Sequence, residues 1–228
     1  MVIFNKERLH QCLEAVKGGL IVSCQALEEE PLHGTIHMEA MARAALMGGA
    51  AGLRANGRED ISAMRKLTDK PIIGILKRRE PDGGIFITPD LESAALIADA
   101  GADIVALDCT TTRHPDCGKL GNLINSIHAE LGVAVMADCS SLEETLRAED
   151  LGADIVATTL VPGRDPDFAL LEKVLGSVTV PVIAEGNYWR PEEVVRAIQI
   201  GAHAVVVGSA ITRPQLITAR FAAALARR

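Results

Sequence analysis

Four glycine–alanine pairs recur at nearly constant spacing, and this repeat limits the possible folds more than any other feature of the chain. The pairs are Gly49-Ala50, Gly101-Ala102, Gly152-Ala153 and Gly201-Ala202, at intervals of 52, 51 and 49 residues. Each pair ends a helix-like segment and opens a short apolar run, and the segments GADIVALD and GADIVATT are near copies. A repeat of about 50 residues accommodates two strand–helix units, so four repeats predict eight units.

Eight apolar runs supply the strands that this repeat requires. They are Leu20–Gln25, Gly52–Ala55, Ile72–Lys77, Ile104–Asp108, Val133–Asp138, Ile155–Thr159, Val182–Glu185 and Ala204–Gly208. The runs are apolar on both faces, as expected where helices cover one side and a closed interior the other. We therefore predict an α/β fold, a (β/α)8 TIM barrel with an extra N-terminal helix. No linker interrupts the pattern, so residues 1–228 are expected to form one domain.

Amphipathic segments between these runs predict the helices. They are Met38–Met47, Glu59–Leu67, Leu91–Ala100, Leu120–Leu131, Leu142–Leu151, Pro166–Leu175 and Pro191–Ile200. Three of them follow recognisable start signals, which are Thr88-Pro89, Ser140/Ser141 ahead of Glu143/Glu144, and Arg190-Pro191-Glu192-Glu193.

Charge and composition exclude several classes of function. The net charge is −7, aromatic residues make up 3%, and the longest basic run is Lys77-Arg78-Arg79, so nucleic-acid binding is not expected. No apolar run approaches the roughly 20 residues that cross a bilayer. The N-terminal segment has the pattern of an amphipathic helix and not of a signal peptide. Five cysteines without framework spacing indicate reduced thiols and a cytoplasmic protein.

Reactive side chains are concentrated at the predicted strand ends, where barrels of this kind hold their active sites. These ends are Gln25, Arg54, Lys77, Asp108, Asp138, Thr158/Thr159, Glu185 and Gly208. Alternation along a strand places Lys77 on the side of Ile75 and Glu185 on the side of Ile183, facing the barrel mouth. Structural alternatives stay open: a solvated lysine, a glutamate paired with a barrel arginine, and an Asp138 that caps the helix after it.

The segment Val180–Pro214 predicts a phosphate site at the last two strands. Its apolar runs end at Gly186-Asn187 and Gly208-Ser209, where backbone N–H groups are accessible to an anion because no Cβ intervenes. Arg54 and Arg213 offer guanidinium groups suited to an anion, and the alternative for both is a salt bridge at the rim. Cys109, His114 and Cys117 lack a fourth zinc ligand, and nucleotide-binding motifs are missing, so neither metal nor cofactor is expected.

Several segments together resemble the N-acetylmannosamine-6-phosphate 2-epimerases of bacterial sialic-acid breakdown. The matching stretches are GGLIVSCQAL, GGAAGLRANG, PIIGILKR, MADCS, VIAEGN and GAHAVVVGSAITRP. The resemblance implies a barrel that interconverts N-acetylmannosamine 6-phosphate and N-acetylglucosamine 6-phosphate. By the same resemblance, Lys77 and Glu185 are catalytic, Gln25, Arg54 and Asp138 bind the substrate, and Arg213 lies on the phosphate side. The strand ends described above add Gly186, Asn187, Gly208 and Ser209 to the predicted substrate-binding residues. Two positions depart from the usual family pattern: Glu80 replaces a tyrosine, and residues 160–164 replace a Gly-Tyr-Thr-like loop.

The expected chemistry is lysine/glutamate acid–base proton transfer at C2 of the sugar. Lys77 must be neutral for part of the time, so apolar surroundings and Arg54 should lower its pKa, and Glu185 should not pair tightly with it. Two alternatives remain open at this point. One is a Schiff-base aldolase or synthase that uses Lys77 as nucleophile, and the other is a phosphosugar-binding regulator without catalysis. The small residues of the helix predicted at Leu216–Ala226 suit packing against its own barrel or against a second subunit, so a monomer and a homodimer both stay open.

Overall fold

The computed structural model describes residues 4–226 and confirms the predicted closed barrel. These residues contain β1 (Leu20–Cys24), β2 (Gly52–Asn56), β3 (Ile72–Ile75), β4 (Lys77–Arg79), β5 (Ile85–Ile87), β6 (Ile104–Asp108), β7 (Ala134–Asp138), β8 (Ile155–Ala157), β9 (Val182–Glu185) and β10 (Ala204–Val207). Eight parallel strands form the ring β1-β10-β9-β8-β7-β6-β3-β2. The ring is closed by β1 and β10, with Leu20 opposite Val205. That residues 1–228 form one domain stays a prediction, since residues 1–3 and 227–228 lie outside the described part.

Helices precede, connect and follow the barrel strands. They are α1 (Lys6–Val16), α2 (Thr35–Met47), α3 (Arg58–Arg65), α4 (Leu91–Asp99), α5 (Cys117–Ser126), α6 (Leu142–Asp150), α7 (Phe168–Leu175), α8 (Pro191–Ile200), α9 (Ser209–Thr212) and α10 (Pro214–Ala226). A π-helical turn at Ile127–Leu131 extends α5. None of the helices between residues 4 and 226 combines the length and the apolar character that a membrane crossing needs.

Strand side chains alternate between two apolar cores. Ile73 and Ile75 of β3 point into the barrel, whereas Ile72 packs in the layer between the strands and the surrounding helices. The helix α1 precedes the barrel, as predicted, and its Cys12 and Val16 join the inner core. This helix therefore closes one end of the barrel interior and leaves the other end for the side chains at the strand ends.

The start signals were mostly read correctly, with one exception. Ser141 caps α6 by accepting a hydrogen bond from the Glu144 N–H at 3.3 Å. The helix α8 begins after Arg190, as predicted, and Glu193 Oε2 accepts a hydrogen bond from the Arg190 N–H at 2.9 Å. The cap predicted at Thr88-Pro89 is wrong, because Asp90 caps α4. The Thr88 hydroxyl instead accepts a hydrogen bond from the Leu76 N–H at 3.1 Å.

An additional hairpin, which was not predicted from the sequence, follows β3. The strand predicted to run to Lys77 ends at Ile75, and Lys77 begins β4, which pairs antiparallel with β5. The hairpin turn is closed by a hydrogen bond from the Glu80 N–H to the Gly84 carbonyl at 2.9 Å. Lys77 thus belongs to a small two-stranded ribbon at the barrel mouth and not to the barrel wall.

Candidate active site

A cavity of about 370 Å³ lies at the barrel mouth. Its wall includes nine of the ten side chains or backbone positions predicted for the site, namely Gln25, Arg54, Lys77, Glu185, Gly186, Asn187, Gly208, Ser209 and Arg213. The tenth, Asp138, is fully buried and reaches the cavity only through the residues that it contacts. The structure therefore brings together residues that are separated by up to nearly the whole chain.

Arg54 is the centre of a buried charge cluster. Its Nη1 and Nη2 donate to the two carboxylate oxygens of Asp138, at 3.0 and 2.5 Å, and Nη1 also donates to Glu185 Oε2 at 2.6 Å. The Arg54 side chain is 1% exposed, that of Asp138 0% and that of Glu185 12%. Two carboxylates thus share one cation in a region where an unpaired charge is costly. This pairing is the structural alternative considered for Glu185, and it leaves Glu185 on the cavity wall.

Glu185 ends β9, opposite β3 in the ring, as the sequence predicts. Burial raises the pKa of its carboxyl to about 7, while the Arg54 guanidinium acts in the opposite direction and the Asp138 carboxylate adds to the rise. A carboxyl group with a pKa near neutrality exchanges its proton readily under physiological conditions. Glu185 is therefore suited to both donate and accept a proton.

Lys77 reaches the same cavity from the hairpin. Its backbone N–H donates to Asn56 Oδ1 at 2.8 Å, which fixes the start of β4 against the end of β2. Burial, together with the nearby Arg54 and Arg213 cations, lowers the pKa of the Lys77 ammonium to about 8, while Glu185 and Glu30 act in the opposite direction. Within residues 4–226, the Lys77 side chain forms no ion pair or hydrogen bond, so its amine is available to a ligand.

The side-chain carbonyl oxygen of Gln25 has no hydrogen-bond partner within the described chain. Its Nε2 donates to Ser23 Oγ at 2.7 Å, whereas its buried Oε1 accepts no hydrogen bond from residues 4–226. Ser23, which the sequence analysis did not select, lines the cavity next to it. A buried oxygen without a donor is costly, so this atom favours a ligand that carries an N–H or O–H group.

The ends of β9 and β10 form the glycine-rich side of the cavity. Gly186 has φ +104°, and a Cβ there would lie 3.1 Å from the Thr158 carbonyl oxygen. Asn187 also has a positive φ of 63°, and its Nδ2 lies 3.4 Å from the Val161 carbonyl oxygen. At Gly208 an added Cβ would lie 3.3 Å from Ser23 Cβ. These positions need glycine or asparagine because the backbone turns sharply and passes close to its neighbours.

Arg213 lies at the same side, held by an ion pair. Its guanidinium contacts Glu30, with Nη2 donating to Oε2 at 2.9 Å, and Nη1 donates to Ser209 Oγ at 3.1 Å. Glu30, in the loop after β1, also accepts from the Leu27 N–H at 2.8 Å. The Arg213 side chain is 24% exposed, so it remains accessible to a ligand while Glu30 orients it.

Further residues of the cavity wall that were not predicted include Ile85, Ile87, Tyr188 and Trp189. The two isoleucines come from β5, which Asp82-Gly83-Gly84 between the runs Lys77–Arg79 and Ile85–Ile87 would have indicated as a hairpin. Trp189 packs under Arg220 of α10, whose guanidinium carbon lies 4.2 Å from the ring centroid. The only sequence signal for Trp189 is its position two residues after Asn187.

The loop after β6 holds the other cluster considered in the sequence. Asp108 accepts hydrogen bonds from the Thr110 N–H and hydroxyl, at 3.0 and 2.6 Å, and so organises its own loop. Arg113 pairs with Asp82 of the hairpin turn at 2.9 Å, and not with Asp108. Across residues 4–226, no group of three or more His, Cys, Asp or Glu side chains is arranged to hold a metal ion.

Comparison with known proteins identifies the family of this chain. Residues 38–227 match the family model described as "Putative N-acetylmannosamine-6-phosphate epimerase". Relatives named as 2-epimerases of the same sugar phosphate occur in Caldanaerobacter subterraneus subsp. tengcongensis, at 46% identity over 217 residues, and in Clostridioides difficile, at 46% over 220 residues. The alignments cover 92% and 93% of this chain and 92% and 98% of those proteins.

A solved structure gives the same result for the fold. The N-acetylmannosamine-6-phosphate 2-epimerase from Clostridium perfringens superposes with a TM-score of 0.86 at 44% sequence identity, over 92% of this chain and 94% of that one. The chain therefore belongs to the N-acetylmannosamine-6-phosphate epimerase family.

Proposed function

We propose that this protein is an epimerase that inverts C2 of N-acetylmannosamine 6-phosphate to give N-acetylglucosamine 6-phosphate. The observation that carries the proposal is that Lys77 and Glu185 line the same cavity, where burial lowers the pKa of the lysine and raises that of the glutamate. Inversion removes one proton from C2 and returns one to the other face, so no atom is gained or lost. Two groups that titrate near neutrality meet this requirement.

Lys77 is the base in this proposal. A neutral amine takes the C2 proton, and the charge that develops on the sugar is stabilised by the cations around it. Arg54 contributes to this environment and is already held by Asp138, so no rearrangement is needed when the charge appears. Glu185 acts on a sugar hydroxyl or relays a proton, which is consistent with its pairing to Arg54 instead of Lys77.

The product formed in D₂O tests the reaction. With N-acetylmannosamine 6-phosphate as substrate, the N-acetylglucosamine 6-phosphate produced should carry deuterium at C2, because the proton passes through groups that exchange with solvent. Product without deuterium would exclude this mechanism. Borohydride added during turnover should leave Lys77 unmodified, whereas a covalent adduct at Lys77 would identify the Schiff-base alternative.

The phosphate group is proposed to lie at Gly186, Gly208, Ser209 and Arg213. Arg213→Ala is expected to raise KM for the phosphosugar by about 10- to 100-fold, because a charge-assisted hydrogen bond is lost. Activity on the unphosphorylated sugar should change little. Steady-state kinetics with both sugars measures the difference, and Arg43→Ala, at an exposed position of α2, serves as the control. An equal loss on both sugars would remove Arg213 from the phosphate site.

The proposed partner, besides the sugar phosphate, is a second copy of the chain. None of the residues of α10 is buried, and Phe221 and Leu225 are 73% and 62% exposed. An apolar helix face exposed to this extent favours contact with another subunit. We expect a dimer in light scattering and a monomer for Phe221→Glu/Leu225→Glu. A wild-type protein that stays monomeric at high concentration would contradict this.

We also propose a cytoplasmic location. All five cysteines are free, and four of them, Cys12, Cys24, Cys109 and Cys139, are buried. Buried thiols without disulfides are typical of proteins that remain in a reducing compartment. Nucleic acid is not a proposed partner, since the net charge is −7.

A further inference from the structure

Two neighbouring threonines distinguish one repeat from its near copy. GADIVATT ends in Thr158 and Thr159, whereas GADIVALD has Leu107 and Asp108 at the equivalent positions. Both threonines directly follow β8 and lie beside the end of β9, where Glu185 is located. The reaction proposed above assigns no role to either of them.

Thr158 holds the backbone of Glu185. Its hydroxyl donates to the Glu185 carbonyl oxygen at 2.9 Å and accepts from the Glu185 N–H at 3.2 Å. Leucine, which occupies the equivalent position in the near copy, has no group that forms either bond. The main chain at the end of β9 is therefore fixed by a side chain from the neighbouring strand.

Thr159 contacts the Glu185 side chain and the buried aspartate behind it. Its Oγ1 lies 2.6 Å from Asp138 Oδ1 and 3.2 Å from Glu185 Oε2. A hydroxyl carries one proton, so it donates to one of these carboxylates at a time. The geometry places this single donor between the two acids that share Arg54.

We propose that Thr159 is a positioning residue for Glu185, which holds the Glu185 carboxyl group at the cavity wall in both its protonated and its ionised form. The proposal rests on the proposed function, in which Glu185 changes its protonation state during turnover. When Glu185 is ionised, the hydroxyl donates to it. When Glu185 is protonated, the hydroxyl donates to Asp138 and accepts from the carboxylic acid.

The charges facing Glu185 come from three elements: Arg54 on β2, Asp138 on β7 and Lys77 on β4. Removing the Thr159 hydroxyl deletes none of these charges, although Asp138 also loses the hydrogen bond from it. The bond that Thr159 donates to the ionised Glu185 is charge-assisted and stronger than the bond that it accepts from the protonated acid, so it lowers the pKa of Glu185 against the larger effect of burial. Loss of the hydroxyl should therefore raise the pKa of Glu185, and the pH limb that it controls should move to higher pH.

The test compares Thr159→Val, which keeps the shape and loses the hydroxyl, with Thr159→Ser, which keeps the hydroxyl. Thr159→Val should lower kcat about tenfold, the value of one hydrogen bond, with little change in KM. The pH limb should move upward, and Thr159→Ser should restore both kcat and the limb. Thr145→Val is the matched control, since it removes a buried hydroxyl that bonds only the Leu142 carbonyl in α6; its kcat should equal that of wild type.

A second measurement does not depend on activity. In protein labelled with ¹³C at glutamate carboxyls, the Glu185 signal is identified by its loss in Glu185→Gln, and its titration should move to higher pH in Thr159→Val. Unchanged titration, or a Thr159→Ser enzyme as slow as Thr159→Val, would overturn the role given to Thr159. A wild-type protein that titrates as expected and has no epimerase activity would overturn the proposed function and leave the contact between Thr159 and Glu185 supported.

Discussion

Lys77→Ala should abolish both epimerisation and exchange of the C2 proton with solvent. The cavity wall then lacks the amine that accepts this proton, and removal of a general acid–base group typically costs on the order of 10²–10⁴ in rate. Deuterium incorporation at C2, followed by NMR, separates exchange from net turnover. For the wild-type enzyme, exchange should increase with pH up to about 8, because Lys77 is neutral above its lowered pKa.

Glu185→Gln keeps the shape of the side chain and loses the charge, so this variant should bind substrate and turn over slowly. Lys77 and Glu185 act in one reaction, and their effects should not add: the double variant should be hardly slower than Lys77→Ala alone. Thermal melting must show that each variant is folded. A well-folded Lys77→Ala enzyme that retained near wild-type exchange at C2 would disprove the assignment of Lys77 as the base.

Arg54→Met is expected to cause the largest loss of stability. It leaves the carboxyl groups of Asp138 and Glu185 buried without their shared cation, and breaking a buried pair in this way costs about 3–5 kcal/mol. In a protein of this size such a loss lowers Tm by about 10 °C. Calorimetry or a circular-dichroism melt measures the change in Tm.

Arg43→Met provides the matched control for this variant. Arg43 pairs with Glu39 on α2, but both side chains are largely exposed, so Tm should change little. Adding Asp138→Asn to Arg54→Met should recover part of the loss, because one of the two uncompensated charges is removed. An Arg54→Met protein that melts within 2 °C of wild type, an allowance of about 1 kcal/mol, would show that the cluster contributes little to stability.

The barrel was predictable because its information is local and repeated. Each Gly-Ala pair marks the start of a strand, and the apolar runs have the length of buried strands, so all eight strands were placed within a few residues. The chain also positions its reactive side chains by a simple rule, since the carboxyl ends of parallel strands meet at one end of a barrel. Nine of the predicted site residues therefore lie at one cavity.

The hairpin β4–β5 was not predicted because its strands are short. Strands of three residues are too short to show alternation, and Lys77 continued the apolar run of β3 without a break. Thr88 was read as a cap because a proline follows it, but Asp90 forms the hydrogen bond that caps α4. In both cases a local pattern had two interpretations, and contacts with the rest of the barrel decide between them.

The sequence indicated only part of the charge cluster, since pairing of Glu185 with a barrel arginine was one alternative and the pairing of Arg54 with Asp138 was not considered. Arg54 is separated from Asp138 by 84 residues and from Glu185 by 131, so no spacing rule connects them. The strand-end rule places all three near one another without saying which pair forms. The contact of the Thr159 hydroxyl with both acids could not be predicted either, because it depends on how Asp138 and Glu185 pair with Arg54.

The closure of the ring by β1 and β10 joins the parts of the site that come from the beginning and the end of the chain. Leu20 pairs with Val205, and the Thr212 hydroxyl donates to the Ser23 carbonyl oxygen at 3.0 Å, so groups near opposite ends of the sequence meet here. A chain still emerging from the ribosome cannot bring Ser23 and Gln25 to Gly208 and Arg213 before β10 has been synthesised. Ligand binding thus requires the most non-local strand pairing of the barrel, so it reports directly that the ring has closed.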